Sequence, residues 1–593
     1  MRAFLLGGVL LTSAGCNTEP EYFSQVVPET FLTTKDAVWQ RYCRPFTHWK
    51  WFVATNRDRY DLMELGTDEI CIPTRNTDWY NGGLHQNQHH HVFEYTEGVY
   101  HNGFYGVGMG IALAWDAIED IQTRVDLEKV GITKEEQDLM IAQLNILVAN
   151  LYKDGLDLFG GMPLYGLGDK ELKARSTDVE TFNFIEKLIL DNIDKLKSKD
   201  QLGATETSYI HKGWAAVNLA QLYFNAEAYT KGQVKKYAEA AKVCEDIIAG
   251  KYGKYALATE WTNIFGYGNE NCPELIYAIP SDATYSGCNS GFFPPWFCYN
   301  TNAFFGGVAY GNWNGFGIQP SHKPDGTKYT ASDWKLGRVM DKFEDSDVRK
   351  HMYTYEGGGK YHGLFLMGYQ VNPSKNNPGG DKNWVALGGR EYKGSIIYLN
   401  DCVARFALDG GVKAWNENGE PLDADGKVMD RSQFSKLPST IATGEEASLY
   451  RLLKRCPPVD ILEYNNMRMR HPSMTPIARL TEVYYMLAEC YLRDEKKEDA
   501  AKLINQVRAR YFEGGKDPNP VTAANLDKYR MLDEWMIEFL GEARRRTDLI
   551  RWDAYVTEKW WDHEPSNNKN WERFPISEKS LASNNLLVQN PGY

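Results

Sequence analysis

In the last quarter of the chain, apolar residues recur at steps of three and four, which is typical of amphipathic helices. Between residues 476 and 552 three such stripes follow one another: Leu480, Tyr484, Leu487 and Tyr491; then Ala500, Ile504, Val507 and Tyr511; then Leu532, Trp535, Phe539 and Ala543. Glycines and prolines at positions 514, 515, 518 and 520 predict a loop between the second and third helices. Because each stripe occupies only one face, the pattern predicts helices that stack on one another.

The same periodicity predicts further helical segments before residue 260, at 36–60, 99–126, 135–159, 177–197, 212–228 and 233–249. The last two form a predicted hairpin with the small and large residues of tetratricopeptide-like helices: Ala215, Ala216, Leu219, Ala220 and Tyr223. The segment 99–126 has four glycines, at positions 103, 106, 108 and 110, for which close packing or a late helix start would account. We therefore predict a mainly α fold, a tetratricopeptide-like helical-repeat platform.

Helical periodicity mostly disappears between residues 261 and 459. Gly, Asn, Pro and aromatic residues dominate there, with short strand-like runs at 274–279 and 395–399. Loops this long usually carry function or structure of their own. The pattern predicts a large, irregular, loop-rich lobe at 261–459, inserted between an N-terminal helical part (36–260) and C-terminal helices with a tail (460–593).

The first sixteen residues predict an exported and lipidated protein. Arg2 precedes an apolar run, and Ser13-Ala14-Gly15-Cys16 resembles a bacterial lipobox. We expect a signal peptide at 1–15, acylation of Cys16, and a tether at 16–35 that holds the body on a membrane. The alternative is an ordinary signal peptide followed by an incidental cysteine. No later run approaches the roughly 20 apolar residues of a membrane span.

Composition and motifs argue against several classes of function. The net charge of −13 argues against nucleic-acid binding, which needs a basic face. The chain has no GxSxG, HExxH or P-loop motif, and nothing in it indicates a cofactor. Glu534, Glu538 and Glu542 lie at helical spacing close to Arg544, Arg545 and Arg551, which favours a helix-surface ion-pair network over a catalytic acid cluster. His85 and His89–His91 predict a loop rather than a metal site, because the other ligands are missing.

Two aromatic loops are the best candidates for a binding site. Thirteen per cent of the residues are aromatic, and many of them fall among Gly and Asn at 75–83 and 292–317, where no helical or strand periodicity buries them. A flat ring covers the apolar face of a sugar, while Asp, Asn or Arg meets its hydroxyls. The predicted ligand contacts are Arg75, Asp78, Trp79, Tyr80, Trp296, Tyr299, Asn312, Trp313 and Phe316. The alternative is that these rings fill the base of the loops.

Several separated segments carry a resemblance to one family. They are LNILVANLYKDGLDLFGGMPLY (144–165), HKGWAAVNLAQLYFNA (211–226), ARLTEVYYMLAEC (478–490), LDEWMIEFLGEARRRTDLIRW (532–552) and FPISEKSLASNN (574–585). The chain resembles the SusD/RagB nutrient-binding lipoproteins of Bacteroidetes. It departs from their pattern at WDAI (115–118), where an Asn is common.

The resemblance implies four tetratricopeptide-like helical pairs with an irregular lobe packed on them. It further implies a non-catalytic lipoprotein on the outer-membrane surface that captures a glycan for a SusC-like TonB-dependent transporter. Two alternatives remain open: a peptide-capturing or structural lid of the transporter, and a surface glycosidase.

Overall fold

The computed structural model of the chain describes residues 31–75, 77–203, 206, 208–266, 268–280, 296, 313–357, 360–369, 398–406, 411–416, 418–436, 438–445, 447–454, 463–465, 468–470 and 473–593. The helices in these ranges are α1 (Lys35–Trp49), α2 (Arg57–Glu64), α3 (Leu84–His89), α4 (Gly98–Thr123), α5 (Leu127–Val130), α6 (Lys134–Phe159), α7 (Asp178–Asn192), α8 (Lys212–Phe224), α9 (Ala226–Tyr229), α10 (Tyr237–Ile248), α11 (Val339–Lys342), α12 (Leu480–Arg493), α13 (Lys497–Arg508), α14 (Lys528–Phe539), α15 (Arg545–Arg551) and α16 (Glu578–Ser583). The mainly α fold that the sequence predicts is confirmed.

The longer helices pack on their neighbours in a continuous series. Helix α1 lies on α4, α4 on α6, α6 on α7, α7 on α8, α8 on α10, α10 on α12 and α12 on α13. Helices α10 and α12 are adjacent in space although more than 200 residues of chain separate them. The irregular segment is therefore an insertion between two helices of one tetratricopeptide-like stack.

Local sequence signals set several helix boundaries. At the start of α6 the Thr133 side chain accepts from the Glu136 N–H, and the Glu136 side chain accepts from the Thr133 N–H. Thr177 and Glu180 form the same capping box at α7. Helix α6 ends at Phe159, and the residue that follows it, Gly160, has a φ of 80°, which suits glycine.

Of the four glycines at positions 103, 106, 108 and 110 of α4, three face close neighbours. A Cβ at Gly106 would lie 2.5 Å from the carbonyl oxygen of Phe52, which belongs to the π-helical turn Lys50–Ala54 after α1. A Cβ at Gly103 or Gly110 would lie 3.1 or 3.0 Å from a leucine methyl group, whereas at Gly108 no atom lies within 4 Å. Close packing, one of the two predicted explanations, therefore accounts for all but Gly108.

The strands of the described residues are short. They are β1 (Ile70–Cys71), β2 (Leu275–Ile279), β3 (Gly317–Ile318), β4 (Thr354–Gly357), β5 (Lys360–His362), β6 (Phe365–Leu366), β7 (Gly368–Tyr369), β8 (Tyr398–Leu399), β9 (Ala414–Trp415), β10 (Pro421–Leu422), β11 (Arg451–Leu452), β12 (Glu463–Asn465), β13 (Arg468–Arg470) and β14 (Thr475–Arg479). They form antiparallel pairs: β1–β3, β2–β14, β4–β5, β6–β11, β7–β8, β9–β10 and β12–β13. The β1–β3 and β2–β14 pairs join the lobe to the helical stack.

The third predicted C-terminal helix is interrupted. Helix α14 ends at Phe539 and α15 begins at Arg545, with Gly541 and Ala543 between them at φ of 71° and 61°. The Ala543 N–H donates to Glu64 Oε1 at 2.6 Å instead of continuing a helix. The prediction of one helix through Ala543 is wrong, because a tertiary hydrogen bond replaces the local one.

The predicted network between the three glutamates and the three arginines is wrong: each of these residues is ion-paired, but with partners outside the set, and most of the pairs are buried rather than on a helix surface. Glu538 is 2% exposed and accepts from Arg349 at 2.9 Å, Arg479 at 2.7 Å and the Tyr511 hydroxyl at 2.8 Å. Although burial opposes ionisation, the surrounding guanidinium groups lower the pKa of Glu538 to about 2. Helical spacing indicates that these residues are ion-paired, but it cannot show that the partners of Glu538 lie on the lobe and on strand β14.

Candidate functional site

The two predicted aromatic loops meet beside strands β1 and β3. Ile70 pairs with Ile318 and Cys71 with Gly317, which brings the chain after β1 close to the chain before β3. The Trp79 Nε1–H then donates to the Trp313 carbonyl at 2.7 Å. The structure thus brings together residues 234 positions apart. We call the group of Trp79, Tyr80 and Trp313 the aromatic surface.

Of the predicted ring residues, Tyr80 and Trp313 are the most exposed among the described residues. Tyr80 is 55% exposed and Trp313 is 40% exposed. Trp79 is half-buried, with the Arg57 guanidinium 4.9 Å from the centre of its ring. A Cβ at Gly315 would lie only 2.7 Å from the Trp79 ring, so the glycine backbone packs directly on the indole. Trp79 is therefore a support, and Tyr80 and Trp313 are the rings that a ligand can reach.

Three predicted contacts lie inside the protein. Arg75 is fully buried and donates to the carbonyl oxygens of Glu445 at 2.9 Å, Ser448 at 2.7 Å and Gly315 at 3.2 Å. The sequence predicts that Arg75 binds sugar hydroxyls; instead, its side chain links the two loops through the Gly315 carbonyl. An arginine in a Gly-rich loop has no sequence signal that separates these roles.

Trp296 and Phe316 also lie in the core rather than on the surface. Trp296 is 4% exposed, Phe316 is fully buried, and their ring centres are 5.1 Å apart. These two rings fill the base of the loops, which is the alternative that the sequence leaves open. Tyr299 and Asn312 lie outside the described residues.

The backbone under the aromatic surface is held in an uncommon conformation. Trp79, Asn81 and Asn314 have φ of 62°, 44° and 51°, in the left-handed region that costs a non-glycine residue about 1 kcal/mol or more. Asp78 and Arg75 exchange two backbone hydrogen bonds of 2.9 Å, and the Asn314 side chain accepts from Arg451 at 2.6 Å. These contacts hold the loops in one shape, so the rings are positioned before a ligand arrives.

Arg57 and His85 are part of the surroundings that sequence reasoning missed. Arg57 lies at the start of α2, pairs with Asp61 at 3.3 Å and approaches both Trp79 and Phe316. The His85 ring lies 5.7 Å from the Trp79 ring, and burial together with the Arg57 charge lowers the pKa of His85 to about 3. His85 is therefore neutral at physiological pH. Neither residue has a local motif that could have placed it beside Trp79.

Three residues of the histidine-rich segment, His85, His89 and His91, are buried. The sequence predicts a loop, but residues 84–89 form α3. The Trp561 carbonyl accepts a hydrogen bond from His89 Nε2 at 2.9 Å, and the Gly66 carbonyl accepts one from His91 Nε2 at 2.8 Å. The His91 and His563 rings are 4.3 Å apart. No group of three or more potential metal ligands occurs within the described ranges.

In the part of the chain that the structure describes, no helix is both long and apolar enough to cross a bilayer.

Comparisons with known proteins agree on one family. The model of the SusD family matches residues 245–593. The starch-binding protein SusD of Bacteroides thetaiotaomicron is 23% identical over 493 residues, which cover 78% of this chain and 74% of that protein.

Solved structures share the fold. A SusD superfamily protein from Parabacteroides distasonis has a TM-score of 0.64 at 16% identity, over 94% of this chain and 99% of the other. Surface glycan-binding protein A from Bacteroides thetaiotaomicron, solved in complex with laminarihexaose, has a TM-score of 0.60 at 16% identity, over 94% of this chain and 100% of the other. The chain belongs to the SusD family.

Proposed function

We propose that this protein captures a glycan at the aromatic surface without breaking a bond in it. The observation that carries the proposal is the pair of exposed rings, Tyr80 and Trp313, on loops tied together by the Trp79–Trp313 hydrogen bond. Exposed aromatic side chains on a rigid support stack on the apolar faces of sugar rings. The names of two relatives, a starch-binding protein and a surface glycan-binding protein, support the same ligand class.

The affinity expected for such a surface is modest. Two accessible rings and the half-buried Asp78 offer few contacts to a flexible oligosaccharide. We expect a Kd of about 10 μM to 1 mM, which corresponds to roughly −7 to −4 kcal/mol. Capture of a long polymer then depends on repeated sugar units rather than on one tight contact.

We further propose that the protein works on the outer-membrane surface and delivers the glycan to a SusC-like TonB-dependent transporter. The support is the lipobox sequence ending at Cys16 and membership of the SusD family. Cys16 lies outside the described residues. Leu32 is 4% exposed, so the packed body begins a few residues before position 35, the predicted end of the tether.

Affinity electrophoresis tests the capture proposal. The protein is run through native gels containing different polysaccharides, beside the Tyr80→Ala, Trp313→Ala and double variants. Tyr105→Ala is the matched control, because Tyr105 is a 46% exposed tyrosine on helix α4. We expect one glycan class to retard the wild type and Tyr105→Ala, and the double variant to run about as fast as in a gel without glycan.

The outcomes separate the alternative functions. Retardation that survives the double variant would remove the aromatic surface as the glycan site. No retardation by any glycan would favour peptide capture or a structural lid. Shortening of the polymer during the run would show a glycosidase and contradict the non-catalytic proposal.

A further inference from the structure

A polar cavity lies within the helical stack, apart from the aromatic surface. Its volume is about 160 Å³, and its walls come from helices α1, α2, α6, α8 and α12, strand β14 and the turn between α14 and α15. A single water needs only about 15 Å³ of such volume. Arg59, Gln221 and Ile477 in the wall are half-buried, so small solutes can reach the cavity from outside.

The carboxylates in the wall already have cationic partners. Asp154 accepts from Arg59 at 2.7 Å, and Glu482 accepts from Arg544 at 2.9 Å. Each pair leaves little net charge at its place in the wall, and a carboxylate can still accept further hydrogen bonds. These two pairs therefore offer acceptors without a strong attraction for either sign of ion.

Lys153 is held differently. It is 6% exposed, and its Nζ donates to the amide oxygens of Asn218, at 2.5 Å, and Gln221. An ammonium group has three N–H donors, of which these bonds use two. Burial lowers the pKa of Lys153 to about 8, so the group is still mostly protonated at neutral pH.

Trp49 adds a second donor and an apolar wall. It is 3% exposed, and its Nε1–H has no hydrogen-bond partner among the described residues. A buried N–H of this kind costs about 1–3 kcal/mol unless something accepts its hydrogen bond. The Trp49 ring lies 5.5 Å from the Trp214 ring, and both residues line the cavity.

We propose that this cavity is a second binding site, for one neutral sugar unit or a polyol of similar size. A hydroxyl group both donates and accepts, which matches the Lys153 and Trp49 donors and the Asp154 and Glu482 acceptors. The indole rings provide an apolar contact for C–H groups. The site is independent of the aromatic surface, because different residues form it and a polymer chain is not needed to fill it.

Isothermal titration calorimetry of the full chain with D-glucose, D-galactose, D-mannose and D-xylose tests the proposal, with sodium acetate as a charged probe. We expect saturable binding of at least one sugar, one per chain, and none of acetate. Trp49→Phe keeps the aromatic ring but removes the N–H, so we expect about tenfold weaker binding. Trp552→Phe is the matched control, because Trp552 Nε1 also has no partner among the described residues and lies outside the cavity wall.

Three results would overturn the proposal. No heat of binding with any sugar would mean that the cavity holds water only. Equal affinity of the wild type and Trp49→Phe for the sugar, with circular dichroism showing that both proteins are folded, would place the sugar elsewhere. Loss of monosaccharide binding in Trp313→Ala but not in Trp49→Phe would assign it to the aromatic surface.

Discussion

The ion pair between Arg545 and Asp68 offers a sharp test of how the helical stack is held to the segment that carries the aromatic surface. Both side chains are fully buried, and two hydrogen bonds join them, from Nε to Oδ1 at 2.7 Å and from Nη2 to Oδ2 at 2.8 Å. Asp68 also accepts from the Gly337 N–H at 2.8 Å. The Asp68 carboxylate, just before β1, therefore joins helix α15 and the lobe.

Arg545→Met should lower the free energy of unfolding by about 3–5 kcal/mol. The methionine fills much of the arginine stem, but it leaves the Asp68 carboxylate buried with the Gly337 N–H and no guanidinium. Arg545→Met combined with Asp68→Asn should recover part of the loss, because the remaining side chain is neutral and still accepts from Gly337. The loss measures the uncompensated charge rather than the net contribution of the pair.

Guanidinium chloride unfolding, followed by far-UV circular dichroism, measures these differences. Lys187→Met is the matched control, because Lys187 pairs with Asp191 at 2.5 Å while their side chains are 73% and 53% exposed. We expect that change to stay within about 0.5 kcal/mol. A loss below about 1 kcal/mol for Arg545→Met, or a double variant no more stable than the single one, would refute the reasoning.

Two further predictions concern stability. Gly108→Ala should raise the free energy of unfolding by up to about 1 kcal/mol. Gly106→Ala should lower it, because its Cβ would lie 2.5 Å from the Phe52 carbonyl oxygen. Thermal denaturation that shifts the melting temperature of both variants in the same direction would contradict this. Burial lowers the pKa of His563 to about 2. Below pH 6.5 the unfolded chain therefore binds a proton that the folded chain does not, and the free energy of unfolding decreases as the pH is lowered. Between pH 7 and pH 5 the wild type should lose about 2 kcal/mol more than His563→Gln; denaturant curves with equal losses would disprove the role of this histidine.

The secondary structure was largely readable from the sequence, because helix formation depends on neighbours along the chain. The pattern predicts a helix at 135–159, and α6 spans Lys134–Phe159. It also predicts a helix at 177–197, and α7 begins at Asp178. The error at Ala543 arose where Glu64, 479 positions away, takes the hydrogen bond of its N–H.

The candidate site was predictable only in part. Composition singled out the two loops that meet, yet it could not separate the exposed Tyr80 and Trp313 from the buried Trp296 and Phe316. All four are aromatic residues in irregular segments, and exposure depends on what packs above each of them. Arg57 shows the same limit, since nothing in its own neighbourhood predicts that it lies over Trp79.

The sequence by itself determined the helical stack, the inserted lobe between its helices and the family resemblance, because these depend on periodicity, capping and ordered local motifs. The tertiary structure decided which rings form the aromatic surface, that the Arg545–Asp68 pair is buried, and that Lys153 and Trp49 line one cavity. The physical reason is that exposure, pairing and cavity shape depend on which distant segments pack together, and one-dimensional spacing does not contain that information.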